Sequence, residues 1–382
     1  MEKLNKGDDD FIDQDLRDEI LEEAKNWKPS SQTGDYRKKE ASSKGGFALR
    51  DNDLHSKLRS AGKEAIYRIG KQLLQGKLNL ISIAFPFKCA ADYSMLQALA
   101  GMARVNPYIM NAAAYTEDPL ERIKLLITAA VSHMEPCNTF EKPLNPIMGE
   151  TYHAYMDDGT QIYCEQTCHH PPISHIHIIG PDNIYEFAMY TGYSASASFN
   201  SVKVNVIGNK YIKFQDGSKI EWNNMEDQIN NTLWGTMTRQ VTGKQEYKDE
   251  TNHISAYIET GAKKVQDYIK GAISQYGQEI YQIEGNYNGY IEFNKQRYWD
   301  IRETKAFDIH PGPADTLLPS DSRLRLDLIA GKTEAKDSDI PQDRKDEMED
   351  QQRHEAKLRK AVDEYRKENP GTKFVDLSLL TI

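Results

Sequence analysis

Three stretches hold residue types that could bind an anion, and the most telling is Glu165-Gln166-Thr167-Cys168-His169-His170-Pro171-Pro172-Ile173. Its two adjacent histidines supply imidazole donors for a phosphate and carry positive charge when protonated. The Pro171-Pro172 pair fixes φ at both prolines and biases His170 away from helix. That predicts a stiff extended segment aiming both rings at one point. The second stretch, Lys142-Pro143-Leu144-Asn145-Pro146-Ile147-Met148-Gly149-Glu150, offers the cation Lys142 and the amide donor Asn145 between backbone-fixing prolines. The third is Lys345, Glu349 and Arg353, spaced i, i+4 and i+8. In a helix each step of four rotates the side chain by only about 40°, so the three share one face. Glu349 can then hold both cations while Lys345 and Arg353 point at a phosphate, Arg as a fork and Lys as a point charge. Taken singly, the second and third stretches are commonplace.

A different chemistry competes for the first stretch. Cys164, Cys168, His169, His170, His175 and His177 fall within fourteen residues, and His175-x-His177 puts two imidazoles on one strand face. Zinc takes such ligands, so a zinc-binding protein or a hydrolase using the cluster from Cys164 to His177 is the alternative reading. Neighbouring histidines on extended chain point different ways, however, and neither CxxC nor HExxH spacing is present. A nucleophilic enzyme has less support still. There is no Gly-x-Ser-x-Gly elbow, and adjacency of Cys168 and His169 does not make a dyad.

The elements that must position these residues follow from the pattern. With 382 residues and 38% hydrophobic content the chain can bury a sizeable core, and its 21 tyrosines suit half-buried sheet. A net charge of −10 gives no support to a nucleic-acid partner. No apolar run approaches the roughly 18 residues of a membrane span. The polar start is no signal peptide, and the four cysteines imply no disulfide framework, which predicts a reducing cytosol. Residues 1–46 read as a flexible polar extension with one short amphipathic stretch, Leu16 to Trp27. A helix over about 53–75 follows, with Leu54, Leu58, Ile66, Ile69 and Leu73 on one side and Lys57, Arg59 and Lys63 on the other. That pattern alone fits a core-facing helix with a solvated side better than a membrane-facing one. Residues 91–135 are helical in composition, with periodic segments at Asp92 to Arg104 and Pro119 to Ser132, the latter capped by Asp118. From about 145 to 300 short β-rich runs alternate with turn dipeptides such as Asp158-Gly159, Gly208-Asn209, Asp216-Gly217 and Asn288-Gly289, which predicts an antiparallel meander. Residues 339–382 read as a charged helical region closed by an apolar end. The charged helix lacks the apolar heptads of a coiled coil, and a monomer is expected. The class is α+β.

These motifs together resemble the oxysterol-binding-protein-related lipid-transfer family. The histidine segment matches that family's Glu-Gln-Val-Ser-His-His-Pro-Pro, with Thr167 and Cys168 in place of Val and Ser. The Lys142 to Glu150 segment, Asp321-Ser322-Arg323-Leu324-Arg325 and Lys345-x3-Glu349-x3-Arg353 resemble three more family elements in the same order, so the likeness covers about 50–382. The resemblance implies a lipid-domain-only, non-enzymatic member with no cofactor: a near-closed antiparallel β-barrel around a hydrophobic tunnel, an N-terminal helical lid over 53–75 and C-terminal helices. It implies that phosphatidylinositol 4-phosphate meets Lys142, Asn145, His169, His170, Lys345, Glu349 and Arg353. It also implies exchange of that lipid for a sterol or phosphatidylserine, at anionic membranes touched peripherally from the cytoplasm. The stretch from Leu78 to Ser94 departs from the family pattern where relatives line the tunnel, which leaves the second lipid open.

Overall fold

The computed structural model describes residues 12–60, 63, 90–105, 107–134, 140, 142–169, 171–198, 200–313, 317–324 and 339–372, without the side chains of 90, 197, 339–349, 351, 352 and 355. Strand formation follows two-residue alternation. In Gln161–His169, Ile162, Cys164 and Gln166 are buried while Tyr163, Glu165 and Thr167 are exposed. Ile254–Thr260 buries Ile254, Ala256, Ile258 and Thr260 by the same rule. Turn chemistry separates the strands. Gly208 sits at φ 119, and a Cβ there would lie 2.0 Å from the Tyr190 carbonyl oxygen, so the turn demands glycine.

Among the described residues seventeen strands form one sheet, and Ala90–Ser94 pairs in parallel with Lys142–Leu144 in a separate two-stranded one. Antiparallel pairing runs from Ile309–Pro311 through Thr151–Met156, Gln161–His169 and Pro172–Ile179 to the long strand Tyr185–Ser198. The first half of that strand pairs with Asn209–Phe214, and the ladder continues through Lys219–Asn223, Lys244–Asp249, Ile254–Thr260, Tyr268–Gln275, Gln278–Asn286 and Tyr290–Phe293 to Gln296–Asp300. Its second half carries a side arm: Ser201–Ile207, Glu226–Asn230, Thr238–Thr242 and Phe47–Ala48. Among the described residues no sheet closes on itself, so the α+β, antiparallel expectation holds in its coarser form. A barrel needs its last strand to pair with its first. Here Gln296–Asp300 leads into a 3-10 turn, Ile301–Glu303, before the chain reaches Ile309–Pro311.

Helices pack against the apolar face of the sheet. Pro119–Ser132 starts at the expected cap, Asp118 accepting from Leu120 N, and is buried almost all round. It packs with a helix the periodicity does not reveal, Pro107–Tyr115, against Ile220, Trp222, Ile258, Ile283, Phe293 and Trp299. The segment expected to be helical from Asp92 divides: Ala90–Ser94 is strand, and helix begins at Met95 under a Ser94–Gln97 capping box. That helix, Met95–Gly101, packs on Tyr152, Ile162 and Ile176 in a second core.

Residues 12–46 are not a flexible extension. Gln14–Lys25 is a helix burying Ile20, Leu21 and Ala24, and Trp27 lies 5.3 Å from the Tyr298 ring. Asp35 accepts from the Tyr268 and Tyr290 hydroxyls at 2.9 and 3.2 Å, and Arg37 pairs with buried Asp267 at 2.7 Å. The polar side chains that made this stretch look unstructured meet buried polar partners on the sheet. It is a strap.

Candidate functional site

The histidine segment is a hairpin rather than an extended rod. His169 ends the strand Gln161–His169, Pro172 begins the next, and the two are paired across a tight turn. Pro172 at a strand's first position sacrifices no ladder donor. Thr167 is an extra residue in the ladder, which shifts register between Gln166 and Cys168. Gln166 fastens this bulge: its Nε2 donates to Cys168 O at 2.7 Å, and its Oε1 accepts from Ser174 Oγ at 2.5 Å. His169 is half-buried at the turn. His170 lies outside the described residues.

The second stretch is bound to this hairpin through its backbone. Gly149 N donates to Gln166 O at 2.8 Å and Gln166 N donates to Glu150 O at 2.9 Å. Glu150 is 2% exposed and organises the junction. Its Oε2 accepts from Ile147 N at 2.9 Å and its Oε1 from Ser322 Oγ at 2.7 Å, while Ser94 Oγ stands 3.1 Å from Ser322 Oγ. A buried carboxylate satisfied by several donors fixes all the segments that supply them. Glu150 therefore joins the Lys142 to Glu150 turn, the helix start at Ser94 and the Asp321-Ser322-Arg323 element. Arg323 completes the clip with a fork onto Asp321 at 2.9 and 3.0 Å and a bond to Gly312 O at 2.7 Å.

On this scaffold Lys142 and Asn145 are both exposed, and Lys142 Nζ donates to Asn145 Oδ1 at 2.9 Å. The structure thus brings Lys142, Asn145 and His169 onto one hydrogen-bonded framework. Lys345, Glu349 and Arg353 lie on one continuous helix, Asp339–Glu368, as their spacing predicts. The side chains of Lys345 and Glu349 are outside the described residues. Arg353 is exposed and forks onto Asp350 of its own helix.

The lid expectation is covered over its first part. Residues 52–60 are helical, and Asp51 caps them by accepting from Asp53 N at 2.9 Å and Leu54 N at 3.0 Å. Leu58 is buried and Leu54 half-buried against Leu49, Met237, Ile229 and Phe140. Lys57 and Lys63 are exposed, and Arg59 donates to Gly235 O. Ile66, Ile69 and Leu73 lie outside the described residues.

Beside this helix the side arm of the sheet has two unlike faces. Cross-strand pairing puts Ala195, Val204, Asp227 and Val241 in one row, with Val202, Ile229 and Arg239 in the next. Val241 belongs to the main core, so this face continues the core wall, yet Val202, Val204, Val206 and Ile229 are only half-buried. The opposite face carries Ser194, Ser196, Lys203, Asn205 and Gln228. Around the Asp227–Arg239 ion pair, 2.6 Å apart on the same face, these half-covered aliphatic side chains have spare surface for an apolar guest.

Among the described residues the candidate zinc ligands do not converge. Cys164 is buried in the core opposite Ile176, and burial pushes its thiol up to about 12. His175 and His177 lie on the other face: His175 stacks on Tyr190 and His177 Nε2 is 2.8 Å from Glu186. Glu150, Gln166, Ser174 and Ser322 are the residues that motif reading passes over. Their signal was present, since a glutamate, a glutamine and a serine sit inside the same three motifs, but nothing in a linear pattern says which will be buried.

Comparison with known proteins accords with this arrangement. The oxysterol-binding protein family profile matches residues 71–370. Oxysterol-binding protein 9 of Dictyostelium discoideum is 27% identical over 77% of this chain and 74% of its own length. Oxysterol-binding protein-related protein 1 of Mus musculus is 28% identical over 54% of this chain, which spans 21% of that protein. Among solved structures, the Osh1 ORD domain in complex with ergosterol superposes with a TM-score of 0.64 at 18% identity, covering 95% of this chain and 90% of that one. The Osh3 ORD of Saccharomyces cerevisiae in complex with PI(4)P gives a TM-score of 0.58 at 18% identity, covering 89% and 90%.

Proposed function

Because the chain belongs to the oxysterol-binding protein family, a lipid-binding family and not one of enzymes, we propose that it extracts phosphatidylinositol 4-phosphate from one membrane and exchanges it for a sterol or phosphatidylserine at another. The observation that carries this reading is the junction of two unlike surfaces. The framework holding Lys142, Asn145 and His169 adjoins the sheet end whose side arm presents the half-buried apolar wall of Val202, Val204, Val206 and Ile229. An anionic headgroup needs the first surface and its acyl chains need the second. His170, Lys345, Glu349 and Arg353 complete the headgroup site in this reading, and the wall forms one side of a tunnel over which the helix beginning at Asp51 closes. The domain spans 47–382. Leu54 and Leu58 face the wall and Lys57, Arg59 and Lys63 face anionic membrane, which the protein meets peripherally from the cytoplasm. No helix among the described residues is long and apolar enough to cross a membrane.

The test is extraction of phosphatidylinositol 4-phosphate from liposomes by the wild type and by His169→Ala/His170→Ala, with sterol and phosphatidylserine as competitors. Losing two donors to a phosphate lowers extraction roughly tenfold or more. The effective competitor names the second cargo. Folded wild type that extracts no phosphoinositide sinks the proposal.

A further inference from the structure

The chain has four tryptophans. Trp222 and Trp299 are buried and Trp27 packs on Tyr298, whereas Trp234 is 49% exposed. A large aromatic that is half exposed forgoes part of the burial that such side chains normally gain. Its loop is nonetheless built with care. Asn200 Oδ1 accepts from Leu233 N at 2.9 Å and Trp234 N at 3.4 Å, and Asn200 Nδ2 donates to Trp234 O at 3.3 Å. From the other side Asn231, at φ 59, donates to Thr236 O at 2.8 Å. Two asparagines thus hold the backbone of the loop that carries the half-exposed indole.

Register shows where the loop stands. Ile173, beside the histidine turn, pairs with Gly192, and the strand then runs on in the same direction to Ser198, with Asn200 in the turn that follows. The Trp234 loop, held by Asn200, therefore caps the same end of the sheet as the histidine hairpin. Arg59 donates to Gly235 O, which sets the basic helix, with Lys57 and Lys63 exposed, against this loop. The acidic groups on this side are Asp51, which caps the helix, exposed Asp53 in its first turn, and Asp227, which pairs with Arg239 at 2.6 Å. An amphipathic indole beside Lys and Arg is the chemistry of the membrane–water interface. We infer that Trp234 is an indole anchor seating this end of the sheet on an anionic phospholipid bilayer, with Lys57, Arg59 and Lys63 meeting lipid phosphates. The inference rests on the lipid-exchange reading.

The experiment compares full-length wild type, Trp234→Ala and Trp234→Phe on phosphatidylcholine vesicles with and without phosphatidylserine. It reads sedimentation, tryptophan quenching by brominated acyl chains, and binding of a water-soluble short-chain phosphatidylinositol 4-phosphate. Trp234→Ala should lose roughly tenfold in vesicle partitioning, Trp234→Phe should keep most of it, and short-chain lipid binding should be unchanged in both. Bromolipid quenching should be strong in the wild type and largely absent in Trp234→Phe, a readout that does not depend on a truncated side chain. Unchanged partitioning of folded Trp234→Ala, or equal quenching in wild type and Trp234→Phe, overturns the anchor and leaves the indole to a protein partner. Quenching that depends on Trp234 without any phosphoinositide binding upholds the anchor while the exchange reading falls.

Discussion

The strap at residues 12–46 and the helix Asp339–Glu368 are alike in composition, both polar and densely charged, and unlike in what the structure does with them. The strap's charges reach distant partners, some of them buried: Arg37 meets Asp267, which is fully buried, and Asp35 meets buried Tyr290 and half-buried Tyr268, while Arg17 and Glu23 pair at the surface with Asp182 and Lys305. Arg297, itself buried between Glu292 and Asp300, reaches out to Gly34 O at 2.6 Å. The helix instead pairs its charges locally, Arg353 with Asp350 and Lys360 with Glu364 at 3.8 Å, on exposed side chains. Buried pairs are costly to break because one charge is then stranded, whereas exposed intrahelical pairs are screened by water and contribute little. The difference teaches that charge density does not mark a segment as loose. What matters is whether the fold elsewhere has buried the complementary group.

The comparison can be broken most forcefully at Asp267. Asp267→Ala should strand Arg37 and Asn288 Nδ2, which donates to the same carboxylate at 2.6 Å, and cost about 4 kcal/mol in urea unfolding. A loss below about 1 kcal/mol would mean the strap is held by its apolar helix alone. His133, half-buried at the end of the helix Pro119–Ser132, sharpens the same point. Its Nε2 lies 2.6 Å from Val105 O, and burial, aided by the Lys210 charge, pushes its pKa from the ordinary 6.5 down to about 4. A depressed folded value means the neutral ring's contribution is intact above pH 6.5 and is lost as pH falls through 4, amounting to about 3 kcal/mol in the acid limit. His133→Gln, which keeps a donor but cannot titrate, should flatten the stability profile between those pH values; an unchanged slope would remove His133 from the account. The smallest stability effect belongs to the helix. Arg353→Ala should shift unfolding by no more than about 0.5 kcal/mol yet lower phosphoinositide binding roughly tenfold. A large stability loss with unaltered binding would reverse the contrast between the two regions.

Much of the scaffold is legible from local pattern. The helix at Pro119–Ser132, its Asp118 cap, the strands from Thr151 onward and their turns at Gly159, Gly208 and Gly217 all follow from periodicity, capping and left-handed glycines. The helix Pro107–Tyr115 escapes because it runs Asn111-Ala112-Ala113-Ala114, where small residues dilute the apolar period. The histidine pair is legible as chemistry but not as geometry: the prolines announce rigidity, and only pairing of His169 with Pro172 turns that rigidity into a hairpin. Glu150 is the clearest case of a residue that sequence reasoning cannot rank. A glutamate in a surface-like turn and one buried under Ser322 and Ile147 N read the same in one dimension.

By itself, then, the sequence determined the family, the α+β class, the antiparallel meander and the residue types available to a phosphate, because these depend on spacings of a few residues and on motif order. Tertiary structure decided the side arm of the sheet, the capture of residues 12–46, the burial of Glu150 and the half-exposed setting of Trp234. Each of these depends on a partner far away in the chain, and the energy of burying a polar group is set by that partner and not by its neighbours in sequence.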